Sequence, residues 1–286
     1  MTIDYPQTFP VTGPLALSVR LSAGDVQVTA AEVTEAVVDL RPVQADDPDA
    51  LDVIARTRVF YRSGSNALRV DVPRGRGVVD RNPPIEMRVT VPAGSSADVE
   101  VGSADVRIEG RTDVVTIQAG SGDVAVDCCK RARIKSGSGD VHIDEVETSV
   151  VKSGSGNLVV RRSAGDVDLQ TASGDIRLGQ LGGNANLSTA SGDIELGSSA
   201  HGVGAKTASG DFTVGRAVEG EIEVRTASGD VTIGVADGTA ARLECSSVSG
   251  SVRSQLEPAD APGDAERRLV IAARSVSGSI TVNRAS

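Results

Sequence analysis

The sequence predicts an all-β chain folded as a single-stranded β-solenoid: a right-handed parallel β-helix with a coil of about 18 residues and an N-terminal β-rich capping segment. Three observations predict it. The phrases "LQTASGDIRLG", "LSTASGDIELG", "KTASGDFTVG" and "VRTASGDVTIG" write one unit again and again. Inside each copy, apolar and polar residues alternate with the period of a strand. Glycine, 32 of 286 residues, recurs where the copies would bend and lacks the every-third-residue period of collagen.

Aligned on its acidic position, the unit recurs at Asp105, Asp123, Asp140, Asn157, Asp175, Asp193, Asp211 and Asp230, then in diverged form at Ser251 and Ser279. The steps are 18, 17, 17, 18, 18, 18, 19, 21 and 28 residues, a stacked array in which each coil touches only its neighbours. A half-step copy, "RSAGDVDL" around Asp166, lies nine residues from each flanking copy, so a coil consists of two related half-turns. In "VRTASGDVTI" the side chains of Val224, Thr226, Val231 and Ile233 face one way, and Arg225 and Thr232 the other. Glycine and the density of β-branched residues exclude a helix. The pattern predicts two three-residue strands about a Ser-Gly-Asp corner, followed by a variable return such as "GQLGGNA".

The candidate corner residues are Gly122, Asp123, Gly139, Asp140, Gly156, Asn157, Gly174, Asp175, Gly192, Asp193, Gly210, Asp211, Gly229 and Asp230. Glycine there supplies a positive φ or a backbone approach that a Cβ would forbid. The acid caps N–H groups of the bend. Thr171, Thr189, Thr207 and Thr226 share one register and are expected to stack as an internal ladder sharing hydroxyl hydrogen bonds, with Ser136, Ser153, Ser247 and Ser275 in that place elsewhere. Lys135, Lys152, Lys206 and Arg225 precede the corners and are placed to neutralise a column of carboxylates.

Residues 1–95 read as a cap, and 96–286 as the array. The cap holds one early copy, "RLSAGDVQVTA", strand-like "EAVVDLRPV", a helix candidate "DPDALDVIART", and strands "ALRVDVP" and "IEMRVTVPAG", with loops such as "RGRGVVDRNPP" between them. The polar, Pro-rich "QLEPADAPGDAERRL" interrupts the array and accounts for its last, longest step. The remaining coil, "RSVSGSITVNRAS", is expected to be the uncapped end.

Composition bounds the rest. A hydrophobic content of 39% builds a core, but with no Trp, three Phe and two Tyr it must be filled by Val, Ile, Leu and Ala. A net charge of −10 argues against nucleic acid and against attraction to anionic lipid. The N-terminus shows no basic stretch followed by an apolar run, and no segment has about 18 consecutive apolar residues, so a soluble cytoplasmic protein without membrane insertion is expected. Three cysteines form neither a disulfide framework nor metal-ligand spacing.

The copies "SGSGDVHI", "TASGDIRL" and "TASGDVTI", with "VTVPAG" just before them, resemble a bacterial adhesin-like family of unknown function built from β-strand repeats, whose relatives include the head domains of auto-transporter-like adhesins. The resemblance covers nearly the whole chain. It implies a β-solenoid and names no activity.

No catalytic, cofactor-binding or metal-ligating residue is expected. His142 sits at an outward strand position, the Ser-Gly steps lack a nucleophile elbow, and "GSGD" lacks the Lys-Ser/Thr and following helix of a phosphate loop. Adjacent Cys128 and Cys129 bridge only with strain. Calcium-binding rolls carry Gly-x-Gly-x-Asp in nonapeptides, whereas here Asp follows the second Gly directly and the period is doubled. Carbohydrate-active solenoids use aromatic platforms, which this composition does not supply. The sequence therefore reads as a non-enzymatic scaffold or adhesin-like binding module for an unknown protein or surface partner. Two alternatives stand beside it: a self-assembling structural polymer joined through solenoid ends, like the bacterial bactofilins, and a weak calcium-binding β-roll.

Overall fold

A computed structural model of the chain describes residues 5–73, 82–256 and 267–285. Most of "RGRGVVDRNPP" and of "QLEPADAPGDAERRL" lies outside them. The chain forms two compact units, 1–143 and 144–286, each built on a β-solenoid stack of parallel strands, to which unit 1 adds antiparallel ones.

Unit 1 contains β1 (Gln7–Pro10), β2 (Ala16–Ala31), β3 (Glu35–Pro42), helix α1 (Pro48–Arg56), β4 (Arg58–Arg62), β5 (Ala67–Asp71), β6 (Ile85–Pro92), β7 (Ser96–Ser121) and β8 (Val124–Ser138). The division falls within β9 (Val141–Ser155). The early copy is a full coil. β2 pairs in parallel with β7 along one side, Asp25 opposite Asp105, and with β5 and then β6 along the other. Residues 16–31 thus lie between two stretches that are consecutive in sequence. Beyond β5 and β6 the direction reverses: β4 pairs antiparallel with β5, β3 with β6, and β1 with β3. The expected helix is α1, with Asp47 accepting from the Asp49 and Ala50 N–H groups, Pro48 in the first turn, and Ala50, Val53 and Ile54 buried.

Unit 2 contains β10 (Leu158–Ser163), β11 (Val167–Ser173), β12 (Ile176–Leu181), β13 (Ala185–Ser191), β14 (Ile194–Ser199), β15 (Val203–Ser209), β16 (Phe212–Ala217), β17 (Gly220–Ser228), β18 (Val231–Val235), β19 (Thr239–Ser249), β20 (Val252–Ser254), β21 (Arg267–Ser277) and β22 (Ile280–Arg284). A coil is two strands lying on opposite faces. Most run from five to nine residues rather than the three expected, because pairing continues through the polar residues after the inward-facing ones. One face stacks β10, β12, β14, β16, β18 and β22, and the other β11, β13, β15, β17 and β21.

The core is built of one-residue-wide columns. Leu158, Ile176, Ile194, Phe212, Val231 and Ile280 lie directly over one another, all but excluded from water. Each such side chain contributes roughly 1.5–3 kcal/mol of burial. Flat columns suit small branched residues, which explains a core nearly free of aromatics.

The order of the last coils differs from the linear expectation. β17 and β18 pair with β21 and β22, and these in turn pair with β19 and β20. The C-terminal "RSVSGSITVNRAS" is therefore not the uncapped end. It sits between two coils, and residues 239–254 form the outermost one among the described residues.

Candidate functional site

The corner residues form one ladder in each unit. Their glycines are held at positive φ, from +113° at Gly122 and Gly139, through +123° at Gly156 and +140° at Gly174, to +148–153° at Gly192, Gly210 and Gly229. A Cβ on Gly210 would stand 2.0 Å from the carbonyl oxygen of Gly192 one coil back. Glycine is required twice over, by dihedral and by the approach of the neighbouring coil.

The acid does not cap its own bend, as the sequence alone suggested. It reaches to the next coil. Asp105 Oδ1 accepts from the Asp123 N–H at 2.8 Å, and Asp123 Oδ1 from the Asp140 N–H at 2.9 Å. In unit 2 the run goes from Asn157 to Asp175, Asp193, Asp211 and Asp230 at 2.8–3.0 Å, and ends with the Ser279 N–H on Asp230 at 2.7 Å. One carboxylate oxygen per coil thus satisfies an N–H that the bend takes out of the strand ladder. Asn157 serves equally, because only a side-chain oxygen is needed. A parallel, shorter ladder runs through the half-step corner: Asn184 N–H donates to Asp166 at 2.8 Å, and Gly202 N–H to Asn184 at 3.2 Å.

The threonines occupy the inner side of the same corner and are buried. Their hydroxyls do not bond to one another. Thr171, Thr189 and Thr207 donate to the carbonyls of Gly156, Gly174 and Gly192 at 3.3, 3.1 and 3.4 Å. Successive hydroxyls are separated by a whole coil, whereas the corner carbonyl of the preceding coil lies beside each. Thr226 Oγ1 is buried with no hydrogen-bond partner among the described residues.

Of the expected cations, Arg225 does form an ion pair, but not with a corner carboxylate. Arg225 pairs with Glu223 on its own strand, and Arg177, on the strand leaving the corner, reaches Asp175 at 2.8 Å and Glu195 at 3.7 Å. Arg161 and Arg162 pair with Asp144 and Glu145 at 3.3 and 2.7 Å, and Arg162 also donates to Gln180. These pairs are solvent-exposed and line the outward rows of unit 2.

In unit 1 the corner carboxylates of Asp25, Asp105, Asp123 and Asp140, with His142, line an open groove of about 420 Å³. Partial burial, then the neighbouring Asp105 and Glu86, raises the Asp25 carboxyl above the ordinary range. No group of three or more His, Cys, Asp or Glu among the described residues has metal-holding geometry. All three cysteines are free thiols, and burial pushes Cys129 up to about 12, with Cys128 adding to the shift, which makes Cys129 a poor nucleophile.

One oxygen of each corner side chain and the hydroxyls of Thr171, Thr189 and Thr207 are therefore engaged between coils, as in a fold specified by its corners. This agrees with the family match, which spans residues 60–286 and is to Toastrack DUF4097. The chain belongs to the Toastrack DUF4097 family. Among solved structures it is similar to a "putative adhesin" from Bacteroides fragilis (14% identity over 98% of this chain and 96% of that one, TM-score 0.44). It is also similar to a "putative lipid binding protein" from Parabacteroides distasonis (12% identity, 97% and 96% covered, TM-score 0.39) and a "putative cell adhesion protein" from Clostridium sporogenes (9%, 98% and 100%, TM-score 0.25). No curated protein matches the sequence. No helix among the described residues of this Toastrack chain is long and apolar enough to cross a membrane.

Proposed function

We propose that this Toastrack chain is a non-enzymatic binding module of the adhesin-like kind, whose outward side chains, and not its repeated corners, meet a protein or surface partner. One observation carries the reading: the atoms that recur most regularly, the corner carboxylate and the inner hydroxyl, are largely bonded to backbone one coil away. Catalysis needs polar groups held free and converging on one point. A ladder spreads them one per coil and uses them. The outward rows differ. Arg161, Arg162 and Arg177 with their carboxylate partners are exposed pairs worth little to stability, about 0–1 kcal/mol each, so they are available for recognition at small cost to the fold. The engagement of one oxygen of each corner Asp by backbone speaks against a calcium column as the purpose of the repeat.

The test is capture of a partner from native-cell fractions by the full chain, followed by binding measurements with the purified partner. Binding should fall about tenfold or more when Arg161, Arg162 and Arg177 are all changed to Ala, and should persist in Asp211→Ala. A turnover that Asp211→Ala abolishes and the triple variant retains would overturn the reading.

A further inference from the structure

The outermost coil of unit 2 leaves a strand edge whose chemistry is self-complementary. Along this stack, inward-facing residues direct their backbone groups to the next coil. Ile194 N–H donates to the Asp211 carbonyl at 2.8 Å, Phe212 N–H to Asp230 at 2.9 Å, Val231 N–H to Ser279 at 2.9 Å and Ile280 N–H to Ser251 at 2.9 Å. The same rule in β19 turns the N–H and C=O groups of Ala241, Leu243 and Cys245 away from β21, toward a side on which no described strand lies. Their side chains are uncovered as well. Leu243 is 36% and Val252 48% exposed, while Ile271 and Ile280, the residues opposite them one coil inward, are buried.

We propose that two copies of this chain join edge to edge through β19, as an antiparallel pair with its twofold axis at Leu243. A twofold axis allows one patch to meet itself, and two identical edges so related run antiparallel. Charge then sets the register. Arg242 and Glu244 flank Leu243 on the outward face, where they are well exposed and pair with each other at 2.8 Å, an exposed contact that costs little to share with a second copy. With the axis at Leu243, Arg242 of each copy stands opposite Glu244 of the other, in the pairs that do not exchange hydrogen bonds and so approach most closely, about 4.5 Å between Cα atoms. The inward residues form the hydrogen-bonded pairs: Leu243 meets its own image, and Ala241 meets Cys245. Moving the axis one residue either way sets Arg242 against Arg242 or Glu244 against Glu244. The competing occupant is the segment 257–266 of the same chain, "EPADAPGDAE". Its two prolines lack an N–H to donate and its four acids carry no balancing base, so a second copy suits this edge better.

Two strand edges make a small contact, so the dimer should be weak and concentration-dependent. The experiment is sedimentation equilibrium of the full chain from micromolar concentration to about 1 mM, with circular dichroism to confirm that each variant is folded. The wild-type chain should dimerise reversibly. Arg242→Glu and Glu244→Arg should each weaken the dimer about tenfold or more, and the double swap should restore it to within about threefold, because each new Glu then faces a new Arg. Replacing residues 257–266 by a Gly-Ser linker of equal length should leave dimerisation unchanged. A wild-type chain that stays monomeric throughout overturns the proposal, as does a double swap that fails to restore association. Dimerisation that appears only with the linker would assign the edge to the 257–266 segment instead.

Discussion

In unit 1 the outermost parallel strands, β5 and β6, are each paired on their far side by a strand running the other way, and α1 lies against β3. In unit 2 the outermost strands, β19 and β20, are paired on one side only among the described residues. Both stacks repeat one coil geometry, so the difference lies in how each stack is closed beyond its last coil. Reversing direction ends a parallel stack without offering the same edge again, and short β1, which contains Pro10, and exposed β4 then make poor templates for another chain. An edge that ends in the repeat itself remains a template. Covering also changes energetics: Met87 lies inside unit 1 with β3 beyond it, whereas Leu243 faces inward in a coil with nothing described beyond.

The largest test of this comparison is at glycine. Gly210→Val inside the stack should cost about 2–6 kcal/mol, combining strain at φ +148° with a Cβ 2.0 Å from a carbonyl oxygen. Gly238→Val, next to the outermost coil, should cost about 1–3 kcal/mol, since its φ is +72° but its Cβ would meet only the end of the Arg267 side chain at 3.3 Å. Urea unfolding of both variants measures the gap, and equal losses would mean that neighbouring coils contribute nothing to the glycine requirement.

Next come the two edges themselves. Met87→Ala should lose about 2–5 kcal/mol, as for any fully buried large side chain, and Leu243→Ala about 1 kcal/mol or less at dilutions where the chain is monomeric. A loss at Leu243 as large as at Met87 would show that its coil is covered in solution.

Asp211→Ala removes the acceptor of the Asp230 N–H and should cost about 0.5–2 kcal/mol, as a lost helix cap does. The loss should be the same in EDTA and in added calcium when followed by thermal melting. A calcium-induced rise in melting temperature that the mutation abolishes would turn the corner into a metal site.

The smallest effect concerns pH in unit 1. Asp25 has its carboxyl raised in the folded chain, so the folded state holds that proton more tightly than the unfolded one. Its contribution is favourable at low pH and is lost as pH rises from the unfolded carboxylate value through the folded one. Asp25→Asn should therefore raise the melting temperature slightly at pH 7, with the difference vanishing near pH 3. A variant less stable at pH 7 would show that the charged form is the favoured one.

Local chemistry made much of this molecule readable. The Gly at each corner, the side-chain oxygen beside it and the inward Val, Leu and Ile positions are legible in the sequence, because a corner's dihedral and a strand's alternation are properties of a few adjacent residues. "DPDALDVIART" announced α1 for the same reason, with its cap and its proline in place. The partner of each group was not legible. That Asp211 serves the N–H of Asp230, that Thr189 serves the Gly174 carbonyl, and that Ser279 rather than Ser251 comes after Asp230 all depend on which coil lies next. A repeat makes the coils alike, so "SVSGSV" and "SVSGSI" fit the same place almost equally well, and sequence order was the only guide. Sequence by itself determined the coil, its corners and its core. Only the tertiary structure decided the order of stacking, placing residues 16–31 and 267–284 between coils adjacent in sequence and leaving β19 outermost, because pairing across coils is set by packing between segments far apart along the chain.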